Sequence, residues 1–74
     1  MTKFYGYDEN GGKWRFLVEG CDSWMCGNFY HNVAVERKFG NRYETIDAFD
    51  VHACEDALDA AVYAASKYGV QVAC

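Results

Sequence analysis

The chain has 74 residues, enough for one compact domain spanning 1–74 and too few for a second. With 51% hydrophobic and 24% charged residues it does not have the composition of a disordered chain, and no stretch approaches the roughly 20 apolar residues of a membrane span. The net charge of −4 disfavours binding to phosphate backbones and anionic membranes. An N-terminus without an apolar leader predicts a cytoplasmic protein with reduced cysteines.

The first half of the sequence predicts three strands. KFYGYD (3–8) is followed by the turn signal Asn10-Gly11, and KWRFLVE (13–19) then alternates, so that Trp14, Phe16 and Val18 face a core. GCDSWMCG (20–27) is predicted to be a loop bearing Trp24 and Met25. NFYHNVAVERKF (28–39) alternates again, with Phe29, His31, Val33 and Val35 on one face, and ends at the turn signal Gly40-Asn41.

The second half predicts a fourth strand and one helix. RYETIDAFDV (42–51) departs from strict alternation, which indicates a bulge near Asp47. Beyond it, Ala57, Leu58, Ala61, Val62, Ala65 and Tyr68 recur at helical spacing. Gly69 is placed to end the helix, and His52 is predicted to cap its start, with Glu55 three residues later. The tail VQVAC (70–74) could add a short edge strand.

These elements predict an α+β fold: an antiparallel three- to four-stranded sheet with one C-terminal helix packed on one face.

The charge is concentrated in one block. Residues 43–66 contain no Lys or Arg and hold Glu44, Asp47, Asp50, Glu55, Asp56 and Asp59. A local explanation is available, because carboxylates are favoured in a first helical turn and on an edge strand. The alternative is that the strand and the helix start adjoin and form one acidic surface. Tyr63, and Trp24 in the loop, would then supply apolar anchorage for a partner.

Chemistry-bearing motifs are sparse, and we expect neither an enzyme nor a cofactor. Zinc or thiol stabilisation could draw on Cys21, Cys26, His31, His52 and Cys54, but their spacing fits no compact zinc finger. A domain of this size also has little room to enclose a substrate pocket. A homo-oligomer held together by exposed Trp24 and Met25 is a further alternative.

Residues 13–69 resemble the AP2-type DNA-binding domain in four features. A sheet is followed by a helix, Lys13-Trp14 opens a strand, Phe49 precedes the helix, and the helix sequence is EDALDAAVYAASKYG. That resemblance implies a sheet facing the major groove through residues such as Trp14 and Arg15. The basic residues available to a sheet-based nucleic-acid module also include Lys13, Arg37, Lys38 and Arg42. The same helix resembles the last helix of double-stranded-RNA-binding domains. Its start carries Glu55, Asp56 and Asp59, however, where that family needs lysines, so we expect no direct nucleic-acid binding through it.

In size, acidity and lack of catalytic motifs the chain resembles the small phage-encoded anti-CRISPR proteins. This resemblance implies a non-enzymatic inhibitor that binds and occludes the basic surface of a nucleic-acid-handling protein in the host cytoplasm. The residues predicted to bind that partner are Glu44, Asp47, Asp50, Glu55, Asp56, Asp59, Tyr63 and Trp24.

Overall fold

Six elements follow one another in the described part of the chain. The computed structural model describes residues 1–23, 28–52 and 56–73, with side chains for all of these except 21–23, 28 and 29. The elements are β1 (Thr2–Tyr7), β2 (Lys13–Ser23), β3 (Asn28–Phe39), β4 (Arg42–His52), α1 (Ala57–Ser66) and β5 (Gln71–Ala73).

The strands form one antiparallel sheet in the order β4-β3-β2-β1-β5, with α1 packed on one side. The predicted α+β class is therefore confirmed. The sheet has five strands rather than three or four, because the tail pairs with β1 and covers an edge that would otherwise be free, with Gly6 opposite Val72.

Strand alternation decides which side chains reach the core. Trp14, Phe16 and Val18 of β2 are buried, as the sequence predicts, and they meet the buried Val33 and Val35 of β3 beneath the helix. We call this side of the sheet the helix side. The other side, which carries Lys13, Arg15 and Leu17, is called the open face.

Alanines attach the helix to the sheet. Its buried residues are Ala60, Ala61, Ala64 and Ala65, whereas Leu58 and Val62 are 38% and 48% exposed. Leu58 and Val62 recur with the alanines at helical spacing in the sequence, but they do not lie on the buried face of α1. Small side chains let α1 lie close to a sheet that already supplies the bulky core residues, so the larger helix residues turn outward.

The helix ends are capped by a carboxylate and a glycine. Asp56 is the N-cap, and its Oδ1 accepts a hydrogen bond from the backbone N–H of Asp59 at 2.8 Å. The prediction of a His52 cap is wrong, because His52 is still the last residue of β4. At the other end Gly69 has φ +67° and the N–H of Val70 donates to the carbonyl of Ala65 at 3.0 Å, which confirms the predicted glycine stop.

One extra residue in β4 sets which of its side chains share a side. Val35 pairs with Asp47 and Glu36 pairs with Thr45, so Ile46 is a bulge next to Asp47, as the sequence predicts. Across this bulge, Glu44 and Asp47 come to the same side of the sheet although they are three residues apart. Glu44 stands opposite Arg37, which lies on the helix side with Trp14.

Candidate functional site

The carboxylates of β4 do not form the single surface that the sequence suggests. Asp47 is on the helix side with the buried Val51, and its Oδ2 accepts a hydrogen bond from the Tyr68 hydroxyl at 2.5 Å. Asp50 pairs with Asn32 on the open face, and its Oδ1 accepts from the Asn32 side-chain amide at 3.0 Å. Because no bulge intervenes between them, residues three apart point to opposite sides.

The two helix-side carboxylates of β4 have partners within the chain. Glu44 is 3.2 Å from Arg42 in an ion pair whose side chains are 49% and 80% exposed. The hydrogen bond to Asp47 raises the pKa of the Tyr68 phenol above its ordinary value, because the neutral phenol is the donor. Both carboxylates remain exposed.

The helix start contributes two exposed carboxylates. Asp56 is the N-cap of α1, and Asp59 lies on its first turn. Both have a local role, since the positive end of the helix dipole favours them. Two further residues predicted to bind a partner, Glu55 and Trp24, lie outside the described residues.

The outward face of α1 joins these carboxylates to an apolar patch. Tyr63 is 51% exposed, as its predicted anchoring role requires, and Leu58 and Val62 are also exposed on the part of α1 that faces away from the sheet. The Lys67 ammonium lies 5.2 Å from the centre of the Tyr63 ring, so one cation borders the patch at its far end. We call Leu58, Val62 and Tyr63 the helix patch. Sequence reasoning did not assign the first two to a binding surface, because it grouped them with the alanines in one row at helical spacing.

The open face holds a second cluster, around a half-buried ion pair. The Arg15 Nε donates to Glu36 Oε1 at 2.6 Å, and the Thr45 hydroxyl donates to Glu36 Oε2 at 3.0 Å. The Arg15 guanidinium lies 4.4 Å from the centre of the Tyr43 ring, and Tyr5 meets Tyr43 edge-on at 6.3 Å. The Glu36 hydrogen bond holds the pKa of Arg15 above its ordinary value. Sequence reasoning did not anticipate this cluster.

The residues predicted for a sheet-based nucleic-acid module do not share one surface. Lys13, Arg15 and Lys38 are on the open face. Arg37 is on the helix side, and Arg42 lies beside Glu44 there. Trp14 is only 6% exposed beneath the helix, so it is not available to read DNA as the AP2 resemblance implies.

Most of the predicted zinc or thiol set lies outside the described side chains, namely Cys21, Cys26 and Cys54. His31 and His52 are described, and their register places them on neighbouring strands, with His31 opposite Val51 and His52 opposite Tyr30. Within the described ranges 1–23, 28–52 and 56–73, no three His, Cys, Asp or Glu residues come together in a way that could hold a metal ion.

Two grooves of about 420 and 380 Å³ flank the turn between β1 and β2 and share Asp8 and Glu9 in their linings. The Asp8 carboxylate accepts from the Asn10 and Gly12 N–H groups at 2.9 and 2.7 Å and from the Trp14 indole at 3.0 Å. The indole hydrogen bond, aided by the Gly12 N–H, lowers the pKa of Asp8 below its ordinary value of 3.8. This carboxylate organises the turn, and three of its roughly four acceptor positions are used by hydrogen bonds within the chain.

In the part of the chain that the structure describes, no helix has the length and apolar character needed to cross a bilayer. Comparisons with protein-family models, with curated proteins and with solved structures each find no match for this chain.

Proposed function

We propose that this protein is a non-enzymatic interaction protein that binds a basic, nucleic-acid-handling protein through the outer face of α1. The observation that carries the proposal is the helix patch, Leu58, Val62 and Tyr63, which is 38–51% exposed and adjoins the carboxylates of Asp56 and Asp59. An apolar centre with a charged border is the usual composition of a protein interface.

The spacing of the patch suits a helix seated in a groove. Val62 follows Leu58 by one helical turn, and Tyr63 follows Asp59 by the same interval. Such i, i+4 rows are the anchors by which an amphipathic helix binds a hydrophobic groove. Tyrosine is enriched among residues that dominate binding energy, so we assign the principal anchor to Tyr63.

The sign of the partner's surface follows from the distribution of charge. Among the described side chains, the helix side and the adjoining turn carry six carboxylates and three bases, against three carboxylates and four bases on the open face. The six carboxylates are Asp8, Glu9, Glu44, Asp47, Asp56 and Asp59, and the bases are Arg37, Arg42 and Lys67. A net negative side steers association with a basic partner and raises the association rate at low salt.

Occlusion of a nucleic-acid site is the function that this binding would serve. A basic surface that attracts these carboxylates would also attract phosphate, so the protein and a nucleic acid would compete for it. The profile shared with anti-CRISPR proteins supports a cytoplasmic setting for this competition.

The test is affinity capture of the partner from a cell lysate, followed by kinetics with the purified partner. Changing Asp56 and Asp59 together to Asn removes two charges and keeps a competent N-cap, because Asn caps as well as Asp. We expect the association rate to fall several-fold and its salt dependence to weaken. The matched control, Glu19→Gln with Asp50→Asn, removes two carboxylates from the open face and should leave the rate unchanged.

The anchor is tested separately. Tyr63→Ala should raise the dissociation rate by about 30-fold, the loss expected of a dominant interface residue. The captured protein should release a labelled DNA strand when the wild-type chain is added and retain it when Tyr63→Ala is added. Equal capture, rates and displacement by wild type and all variants would eliminate the helix surface as the binding site.

A further inference from the structure

Four residues stand in one row across the open face, near the turn between β1 and β2. Tyr7 of β1 is opposite Lys13 of β2, and Lys38 of β3 is opposite Tyr43 of β4. Trp14 pairs with Arg37, so the adjacent position of this antiparallel register places Lys13 of β2 beside Lys38 of β3. At the strand spacing of about 4.8 Å, the row spans about 14 Å. We call it the Tyr-Lys row.

A small cleft of about 160 Å³ runs along this row, lined by Tyr5, Gly6, Tyr7, Lys13, Trp14, Lys38 and Tyr43. No carboxylate is in its lining. The nearest acid along β3, Glu36, already accepts hydrogen bonds from Arg15 and Thr45. Two ammonium groups on facing strands are unfavourable unless an anion lies between them, so the row is chemically complementary to an anion.

The rings beside the lysines narrow the class of anion. Tyr7 is 51% and Tyr5 45% exposed, and the Lys38 ammonium lies 5.9 Å from the centre of the Tyr43 ring. Exposed aromatic rings next to cations are the groups that bind unpaired bases and the phosphates joining them. A duplex hides its base faces in the stack, so a single strand fits this row better than a double helix.

We propose that the Tyr-Lys row binds single-stranded nucleic acid, with a base stacked on Tyr7 and phosphates held by Lys13 and Lys38. This goes beyond the proposed function, because it uses the opposite side of the sheet from the helix patch. The acidic helix start, from which the sequence predicts no nucleic-acid binding, is on that other side. The carboxylates of the open face at Glu19 and Asp50 lie six residues along the sheet, about 20 Å away, which is twice the Debye length of about 10 Å at 0.1 M salt.

Fluorescence anisotropy tests the proposal with labelled oligomers of about 12 nucleotides: thymidine DNA, uridine RNA and a DNA duplex. Titrations run from about 20 to 200 mM NaCl. Both single strands should bind more tightly than the duplex. The strand that binds more tightly shows whether the row prefers DNA or RNA. Two lysines on phosphates predict a slope of log affinity against log salt of about −1.4, at about −0.7 for each contact.

Matched variants separate the row from general surface effects. Tyr7→Ala should weaken single-strand binding about tenfold or more, whereas Tyr63→Ala, which removes an equally exposed tyrosine (51%) from the helix, should not change it. Lys13→Gln with Lys38→Gln should bring the salt slope near zero, whereas Lys67→Gln should leave it near −1.4. The lysine pair lies outside the core, so it tests the proposal even where Tyr7→Ala lowers stability.

Three results would overturn the proposal: absence of single-strand binding at low salt, equal or tighter binding of the duplex, and equal losses in Tyr7→Ala and Tyr63→Ala. None of them bears on the helix patch, because binding of its protein partner is a separate measurement from oligonucleotide binding.

Discussion

Two Arg–Glu pairs in the same sheet differ in burial, and their coupling energies should differ accordingly. Arg15 and Glu36 join β2 to β3 with an Nε–Oε1 distance of 2.6 Å and side chains only 24% and 10% exposed. Arg42 and Glu44 lie 3.2 Å apart within β4, 80% and 49% exposed. The perturbation is a double-mutant cycle on each pair, with Arg→Met to keep the aliphatic stem and Glu→Gln to keep an acceptor.

The expected magnitudes follow from these geometries. A charge-assisted hydrogen bond contributes about 1.5–3 kcal/mol, and because a quarter of the Arg15 side chain is in water we reduce this to about 1–2 kcal/mol for the Arg15–Glu36 coupling. The exposed Arg42–Glu44 pair should couple by about 0.2–0.5 kcal/mol. Glu36→Gln alone should be more destabilising than Glu44→Gln, since it leaves a half-buried guanidinium without its anion.

Urea unfolding followed by far-ultraviolet circular dichroism measures both cycles on the same protein. Repeating the measurement in about 0.5 M NaCl adds a second criterion, because salt screens exposed charges more than half-buried ones. The Arg42–Glu44 coupling should then vanish while most of the Arg15–Glu36 coupling remains. Equal couplings for the two pairs, or an Arg15–Glu36 coupling that salt abolishes, would refute the reasoning that burial makes the open-face pair the stronger one.

Three further predictions concern the framework of the fold. Gly6→Ala should destabilise the protein by about 1–3 kcal/mol in urea unfolding, because its Cβ would lie 2.6 Å from the Gln71 carbonyl oxygen. Asp56→Ala should cost about 1 kcal/mol in the same assay, whereas Asp56→Asn should be nearly neutral, since only alanine removes the N-cap acceptor. The pKa of Asp8 lies below 3.8 in the folded state, so the stability that its carboxylate contributes is present above pH 3.8 and is lost as the pH falls through the folded-state pKa. The difference in stability between the wild type and Asp8→Asn, measured by thermal unfolding at a series of pH values, should therefore narrow below pH 3.8.

Each of these predictions has a distinct contrary result. Unchanged stability in Gly6→Ala would mean that β5 does not approach β1 as closely as the pairing of Gly6 with Val72 requires. An equal loss in Asp56→Ala and Asp56→Asn would point to the charge rather than to the cap. A stability gap at Asp8 that widens on acidification would reverse the sign of its linkage.

The period-two pattern of β2 determined much of the sheet from the sequence alone. Trp14 and Phe16 could be assigned to the core and Arg15 to the other face, because alternation is a local property of extended backbone. The bulge beside Asp47 and the stop at Gly69 were also predictable, since each comes from a local break in pattern or from a residue tolerant of positive φ.

The candidate surfaces depended more on tertiary structure. Residue spacing alone places Asp50 on the other side of the sheet from Asp47. Glu44 lies on the same side as Asp47 only because the bulge shifts the alternation by one residue. The Tyr-Lys row brings together residues from four strands, so it required the sheet order and register.

The sequence by itself determined most of the element types and the number of carboxylates, because periodicity, turn residues and charge are properties of short segments. The prediction of a loop over 20–27 is wrong at 20–23, which continue β2. Only the tertiary structure decided that Ala61 and Ala64 face the core while Leu58 and Val62 face outward. Apolar residues cover most of α1, so its sequence admits more than one buried face. The choice among these faces depends on which side chains fit against the sheet, and that fit exists only after the strands have assembled.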